Sequence, residues 1–220
     1  MTQFGDIAER LQRVRQQIVD AGGTDVEVLA VTKGHGIAAI QAAAAAGLTR
    51  IGENYAQELV GKVEGAVLDV NVHFIGQLQT NKVRLVAEIV DVYETVDRPA
   101  LITEIAKRAP AAHVLIQVDT TGEPGKGGCP PAEVEALVGR ASGAGLAVDG
   151  LMTVGPTEGG AEAGRKGFRE VRRLCDELGL ATCSMGMTDD FIVAVQEGST
   201  RVRLGSALFG MRPARTAQVR

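Results

Sequence analysis

Apolar positions along the chain fall into two alternating patterns. One is helical: Phe4, Ile7, Ala8, Leu11, Val14 and Ile18 recur every three or four residues, which predicts a leading helix with one buried face. The other is a short apolar run closed by a turn, first seen in "VEVLAVTK". It returns in "TRIGEN", "VNVHFIG", "IVDVYETV", "AHVLIQVDT", "AVDGLMTVG", "ATCSMGM" and "TRVRLG", making eight strand candidates. Helical stretches such as "PAEVEALVGRASGAG" and "GRKGFREVRRLCDELG" lie between them. Gly47, Gly145, Gly179 and Gly198 follow helical stretches, where a left-handed cap residue is expected. Eight strands alternating with helices predict an α/β fold, a (β/α)8 TIM barrel with an extra N-terminal helix. The rival, an open doubly wound sheet, lacks its Gly-rich G-x-G-x-x-G turn after the first strand. A single domain over residues 1–220 accounts for the whole pattern.

Barrels of this kind gather their chemistry at the C-terminal ends of the strands. Lys33 ends the first strand, where a lysine with no carboxylate beside it in sequence needs a pairing or a chemical role. Glu53, Asn54 and Tyr55 follow the second strand and Gly76, Gln77 and Gln79 the third. Asp119, with Lys126 further along its loop, follows the fifth, and Met152 and Thr153 end the sixth. Ser184, Met185 and Gly186 end the seventh, and Gly205 and Ser206 follow the eighth.

The last two strand ends suggest anion chemistry. Gly205 lets a ligand approach the backbone, and Ser206, at a helix start, offers a hydroxyl beside free N–H groups. Ser184 adds a hydroxyl to the same corner; the plainer alternative, that Ser206 only caps a helix, stays open. Arg203, between Val202 and Leu204, points into the barrel if its neighbours point out. It either pairs with a core carboxylate, for which Asp119 is a candidate, or donates to a ligand's ring nitrogen or phosphate. A sheltered lysine amine with a lowered pKa is a nucleophile for an aldehyde. Together these residues suit pyridoxal 5′-phosphate (PLP), a Schiff-base aldolase lysine or a salt-bridged core lysine being the alternatives.

Composition narrows the class of partner. Net charge is −4 with a pI near 5.5, against the basic face that nucleic-acid binding requires. No apolar run reaches the roughly 20 residues needed to span a bilayer, and the N-terminus lacks a signal peptide's apolar core. Cys129, Cys175 and Cys183 have no metal-site spacing and fit a reducing, cytoplasmic setting. His35, His73 and His113 are far apart in sequence, so no metal site is expected. "TDD" at 188–190 reads as a helix start.

The blocks "AVTK", "IGENYAQEL", "HFIGQLQTNK", "GLMTVGP", "SMGMTDDF" and "GSTRVRLGSALFG" run in order over most of the chain. They resemble the signature blocks of the pyridoxal phosphate homeostasis protein family, a single-domain relative of the alanine racemase N-terminal barrel. The resemblance implies that Lys33 carries PLP as a Schiff base and that Ser184, Gly205 and Ser206 hold its phosphate. It places Arg203 at the pyridine nitrogen and Asn54 and Met185 near the ring. One departure stands out. Where the family commonly has a Thr or similar residue and then a Pro after the lysine, this chain has Gly34-His35-Gly36, which is expected to loosen the loop and to bear on PLP affinity.

An arginine at the ring nitrogen disfavours its protonation and weakens the ring as an electron sink. The racemases of this fold also draw a second base from a second domain, for which this chain shows no counterpart; its tyrosines are Tyr55 and Tyr93. The expectation is therefore a PLP carrier or buffer in vitamin B6 homeostasis, with no catalytic residue assigned. It is expected to be a monomer and to serve apo PLP-dependent enzymes. The alternative is a slow amino-acid racemase using Lys33 and Tyr55. The Gly-rich loop "TTGEPGKGGC" brings a second amine, Lys126, to the same face, where it is a candidate relay for PLP or a plain solvated lysine.

Overall fold

A computed structural model describes residues 4–210. Among them, helix α1 (Ile7–Asp20) precedes eight strands: β1 (Glu27–Val31), β2 (Arg50–Glu53), β3 (Asn71–Phe74), β4 (Val92–Val96), β5 (His113–Val118), β6 (Ala147–Thr153), β7 (Thr182–Ser184) and β8 (Arg201–Leu204). All eight run parallel and close into a barrel in sequence order. The closing seam pairs β8 with β1, Leu29 opposite Arg203 and Ala30 opposite Leu204. Helices α2 (Ile37–Ala45), α3 (Ala56–Val63), α4 (Thr80–Val86), α5 (Pro99–Arg108), α6 (Val134–Gly143), α7 (Arg165–Glu177), α8 (Phe191–Gln196) and α9 (Ser206–Phe209) follow β1 to β8 in turn.

The expected (β/α)8 barrel with its leading helix is therefore the fold. Each strand lies within the segment its apolar run marked, because strands covered on both faces read as near-continuous hydrophobic runs. Ile7, Leu11, Val14 and Ile18 form the buried face of α1. Gly47, Gly145, Gly179 and Gly198 all take positive φ, as helix ends of this kind require.

Two layers fill the interior. Between strands and helices the packing is apolar: Ile51, Leu59, Leu101, Ile105, Ile116 and Phe168 are all fully buried. Inside the ring, beside buried Leu29, polar and charged side chains meet. Glu94 of β4 reaches Ser184 of β7 and Arg201 of β8, strands that are not its neighbours, so these side chains meet across the lumen. A register shift between β4 and β5, spanning Tyr93 to Val96, lies at Glu94. Such irregularities re-aim side chains.

Candidate functional site

The C-terminal end of β1 is tied down from β2 and α3. Buried Thr32 donates its hydroxyl to Glu53 Oε1 at 2.5 Å and its carbonyl accepts from Lys62 Nζ at 2.9 Å. Lys62, whose side chain is only 3% exposed, also pairs with Glu53 and Glu58. Glu58 in turn accepts the Gly34 N–H at 2.5 Å. Burial pushes the Glu53 carboxyl up, and Lys62 offsets only part of that. Lys33 itself is half-buried at the rim. A salt-bridged core lysine of this corner is Lys62, which sequence reasoning missed. Its i,i+4 spacing from Glu58 was the available signal. The loop expected to be loosened by Gly34 and Gly36 is held at Gly34 by Glu58. At His35 it is held by ring contacts with Phe4 and Phe209, at centroid distances of 5.7 and 5.3 Å.

Arg203 lies fully inside the barrel, as period-two alternation predicts. Its guanidinium donates to Ser184 O at 2.7 Å, Ser184 Oγ at 2.9 Å and Thr153 O at 2.6 Å. Ser184 passes the contact on, donating to Glu94 Oε2 at 2.6 Å. The other Glu94 oxygen meets His73 Nδ1 at 2.7 Å and Arg201 at 3.0 Å, and Arg201 continues to Glu27. Burial pushes the Glu94 carboxyl up, but His73, Arg201 and Arg203 together overcome it and hold the group at about 2. Burial pushes Arg203 down.

The core carboxylate of this network is Glu94. The expected candidate, Asp119, instead accepts from Thr121 N, Thr121 Oγ1 and Gly122 N, closing its own turn. An Asp two and three residues before those donors is an Asx-turn signal. Ser184 is likewise buried in the network, and Met185 is fully buried with its sulfur 3.6 Å from the Cys183 thiol.

Gly205 and Ser206 sit at the adjoining corner. The Ser206 hydroxyl and the Ala207 N–H both donate to Thr188 Oγ1, at 3.2 and 3.3 Å. Two donors thus converge on one oxygen, the arrangement an anionic oxygen would use. A Cβ on Gly205 would lie 3.5 Å from Val31 O, so this corner abuts the end of β1 that carries Lys33. On the other side, Asn54 Oδ1 is buried without a partner. Gly76 passes so close that a Cβ there would lie 2.2 Å from Asn54 O, which only glycine permits.

Other candidates sit apart or are already engaged. Lys126 donates to Gly155 O at 2.6 Å, in the loop after β6, and pairs with Glu123 of its own loop at 3.0 Å, so its amine bridges two neighbouring loops. Tyr55 is 56% exposed at the start of α3. Tyr93 is fully buried, its hydroxyl without a partner and pushed up to about 12 by burial. Asp190 precedes α8 and accepts the Met187 N–H, the helix start read from "TDD". A cavity of about 810 Å3 near the N-terminal ends of β3 and β4, lined by Val60, Leu68 and Ile89 among others, touches none of these residues.

The donor set fits PLP. An amine stands at one strand end, two convergent donors at the adjoining corner, and a buried guanidinium on the strand paired with β1. Comparison with known proteins points the same way. Residues 4–213 match the family model for the alanine racemase N-terminal domain. The chain is 40% identical to the pyridoxal phosphate homeostasis protein of Pseudomonas aeruginosa, over 94% of this chain and 96% of that protein. Its fold resembles the solved structure of PipY from Synechococcus elongatus with PLP bound: TM-score 0.83, 33% identity, 93% of this chain and all of that one. The same protein without PLP aligns with a TM-score of 0.84 at 34% identity, with the same coverage of both chains. The chain belongs to the pyridoxal phosphate homeostasis protein family, within the alanine racemase N-terminal domain group.

Proposed function

We propose that this protein binds PLP at the mouth of the barrel and acts in the cytoplasm as a carrier or buffer, supplying apo PLP-dependent enzymes. The observation that carries the reading is the convergence of Ser206 Oγ and Ala207 N–H on one oxygen beside the β1 end that bears Lys33. Lys33 supplies the amine that takes the aldehyde. Gly205 and Ser206 receive the phosphate, with Thr188 yielding its place. Arg203 faces the pyridine nitrogen, and Ser184 and Glu94 fix its guanidinium. Asn54, with its unpaired amide oxygen, and Met185 flank the ring. PLP when bound supplies a reactive aldehyde and an electron-withdrawing ring. A buried, hydrogen-bonded arginine at that nitrogen gives the ring no proton, and neither Tyr55 nor Tyr93 is set as a second base. Those two features support storage over turnover.

The test is borohydride reduction of PLP-loaded protein with mass mapping of the modified residue. Lys33 should carry the adduct, and Lys33→Ala should lose both the adduct and the near-visible absorption band. An adduct of unchanged occupancy on the variant would sink the assignment.

A further inference from the structure

The loop after Lys33 and the helix after the phosphate corner belong to opposite ends of the chain, yet one cluster of rings joins them. His35 packs against Phe209 at 5.3 Å between ring centroids and edge-on against Phe4 at 5.7 Å. Phe4 and Phe209 meet edge-on at 5.8 Å, closing a triangle. His35 is two residues beyond Lys33, and Phe209 is three residues beyond Ser206. Helix α9 is only four residues long, so it has little structure of its own to hold its place. Besides the rings, α1 grips it: Arg10 donates to Leu208 O at 3.2 Å. The lysine loop, with Gly34 at φ +76 and Gly36 next to His35, is closed by a turn bond from His35 N–H to Thr32 O at 3.1 Å and tied to α3 through Glu58; the rings are what join it to α9.

We infer that His35 is a positioning residue: with Phe4 and Phe209 it locks the Lys33 loop to the Ser206 helix at a fixed distance. This inference rests on the reading of those two segments as the amine and phosphate anchors. Two anchors held at the correct spacing bind a two-ended ligand far better than two that move independently, because the second contact is then intramolecular. Loss of the ring brace should therefore weaken a ligand that spans both anchors and spare one that uses only the amine.

The experiment compares PLP with pyridoxal, which lacks the phosphate, on the full-length protein. Binding is read as borohydride-trapped Lys33 adduct and as dissociation rate. His35→Ala should raise the Kd for PLP roughly five- to 150-fold, the range expected from losing two aromatic contacts. Pyridoxal binding should change by less than about two-fold. His35→Phe, which keeps a ring in place, should restore PLP binding, and Phe209→Leu should reproduce the alanine variant. Equal losses for PLP and pyridoxal, or no recovery in His35→Phe, overturn the brace. A wild-type protein that traps no adduct on Lys33 overturns the underlying anchor assignment instead, so the two failures are told apart.

Discussion

Glu94→Gln is the most direct test of what holds the barrel lumen together. The substitution keeps the shape of the side chain and removes its charge. The carboxylate faces His73, Arg201 and, through Ser184, Arg203, all buried. Its pKa falls from 4.5 to about 2 on folding. That difference corresponds to about 3 kcal/mol of stability at neutral pH. The sign follows from the direction: a depressed folded-state pKa contributes fully above the unfolded value and is lost as pH falls toward the folded one. By about pH 3.5 the unfolded chain has taken up most of a proton that the native state refuses, and a substantial part of the contribution is gone. Removing one member of a buried charge network typically costs about 3–5 kcal/mol, which agrees in size with the linkage estimate. Urea unfolding of the apo-protein, followed by far-ultraviolet circular dichroism from neutral pH downward, measures both quantities. The variant should be about 3 kcal/mol less stable at neutral pH, and the gap to wild type should narrow as the medium is acidified. A gap under about 1 kcal/mol, or one constant with pH, would refute the account of Glu94 as the charged centre of the lumen.

Three further outcomes bear on the site. Ser206→Ala should weaken PLP binding about ten- to a hundred-fold, the worth of a hydrogen bond to a charged acceptor, with pyridoxal little affected; equal losses for both would remove Ser206 from the phosphate. Ser184→Ala should weaken both ligands alike if it acts through Arg203, and PLP alone if it touches the phosphate, so a ligand-selective loss would contradict the contacts it makes with Glu94 and Arg203. Multi-turnover deuterium exchange at the α-carbon of alanine should be absent; exchange that disappears in Lys33→Ala would overturn storage in favour of racemisation.

Much of the scaffold was legible in the chain because barrel strands, covered on both faces, announce themselves as apolar runs ending in Lys, Ser or Gly. Arg203 was readable for the same reason: a charged residue between Val202 and Leu204 has only the lumen to face. Its partners were not. Glu94 sits in "VYETV", where nothing local tells an inward carboxylate from an outward one, and the residues that hydrogen-bond it come from three other strands. Asp119 was the nearer candidate by sequence, but its following Thr-Thr-Gly closes a turn on it. The ring triangle at His35 escaped notice for a related reason. It joins residues from the start, the first loop and the last helix, and no periodicity links them.

The seam where β8 pairs with β1 has a consequence for the life of the molecule. Lys33 lies just past the strand laid down first, and Gly205 and Ser206 just past the one laid down last. A nascent chain emerging from the ribosome presents the amine long before it can present the opposite anchor, and that anchor arrives only when the ring shuts. Pairings so distant in sequence form late and slowly. Any ligand gripped from both sides of the seam therefore acts as a latch: it binds finished barrels in preference to partial ones. Binding only the native state, it also raises the free energy needed to reopen the ring. If PLP sits between these two anchors as proposed, cofactor supply and survival of the protein against proteolysis are coupled through that one joint.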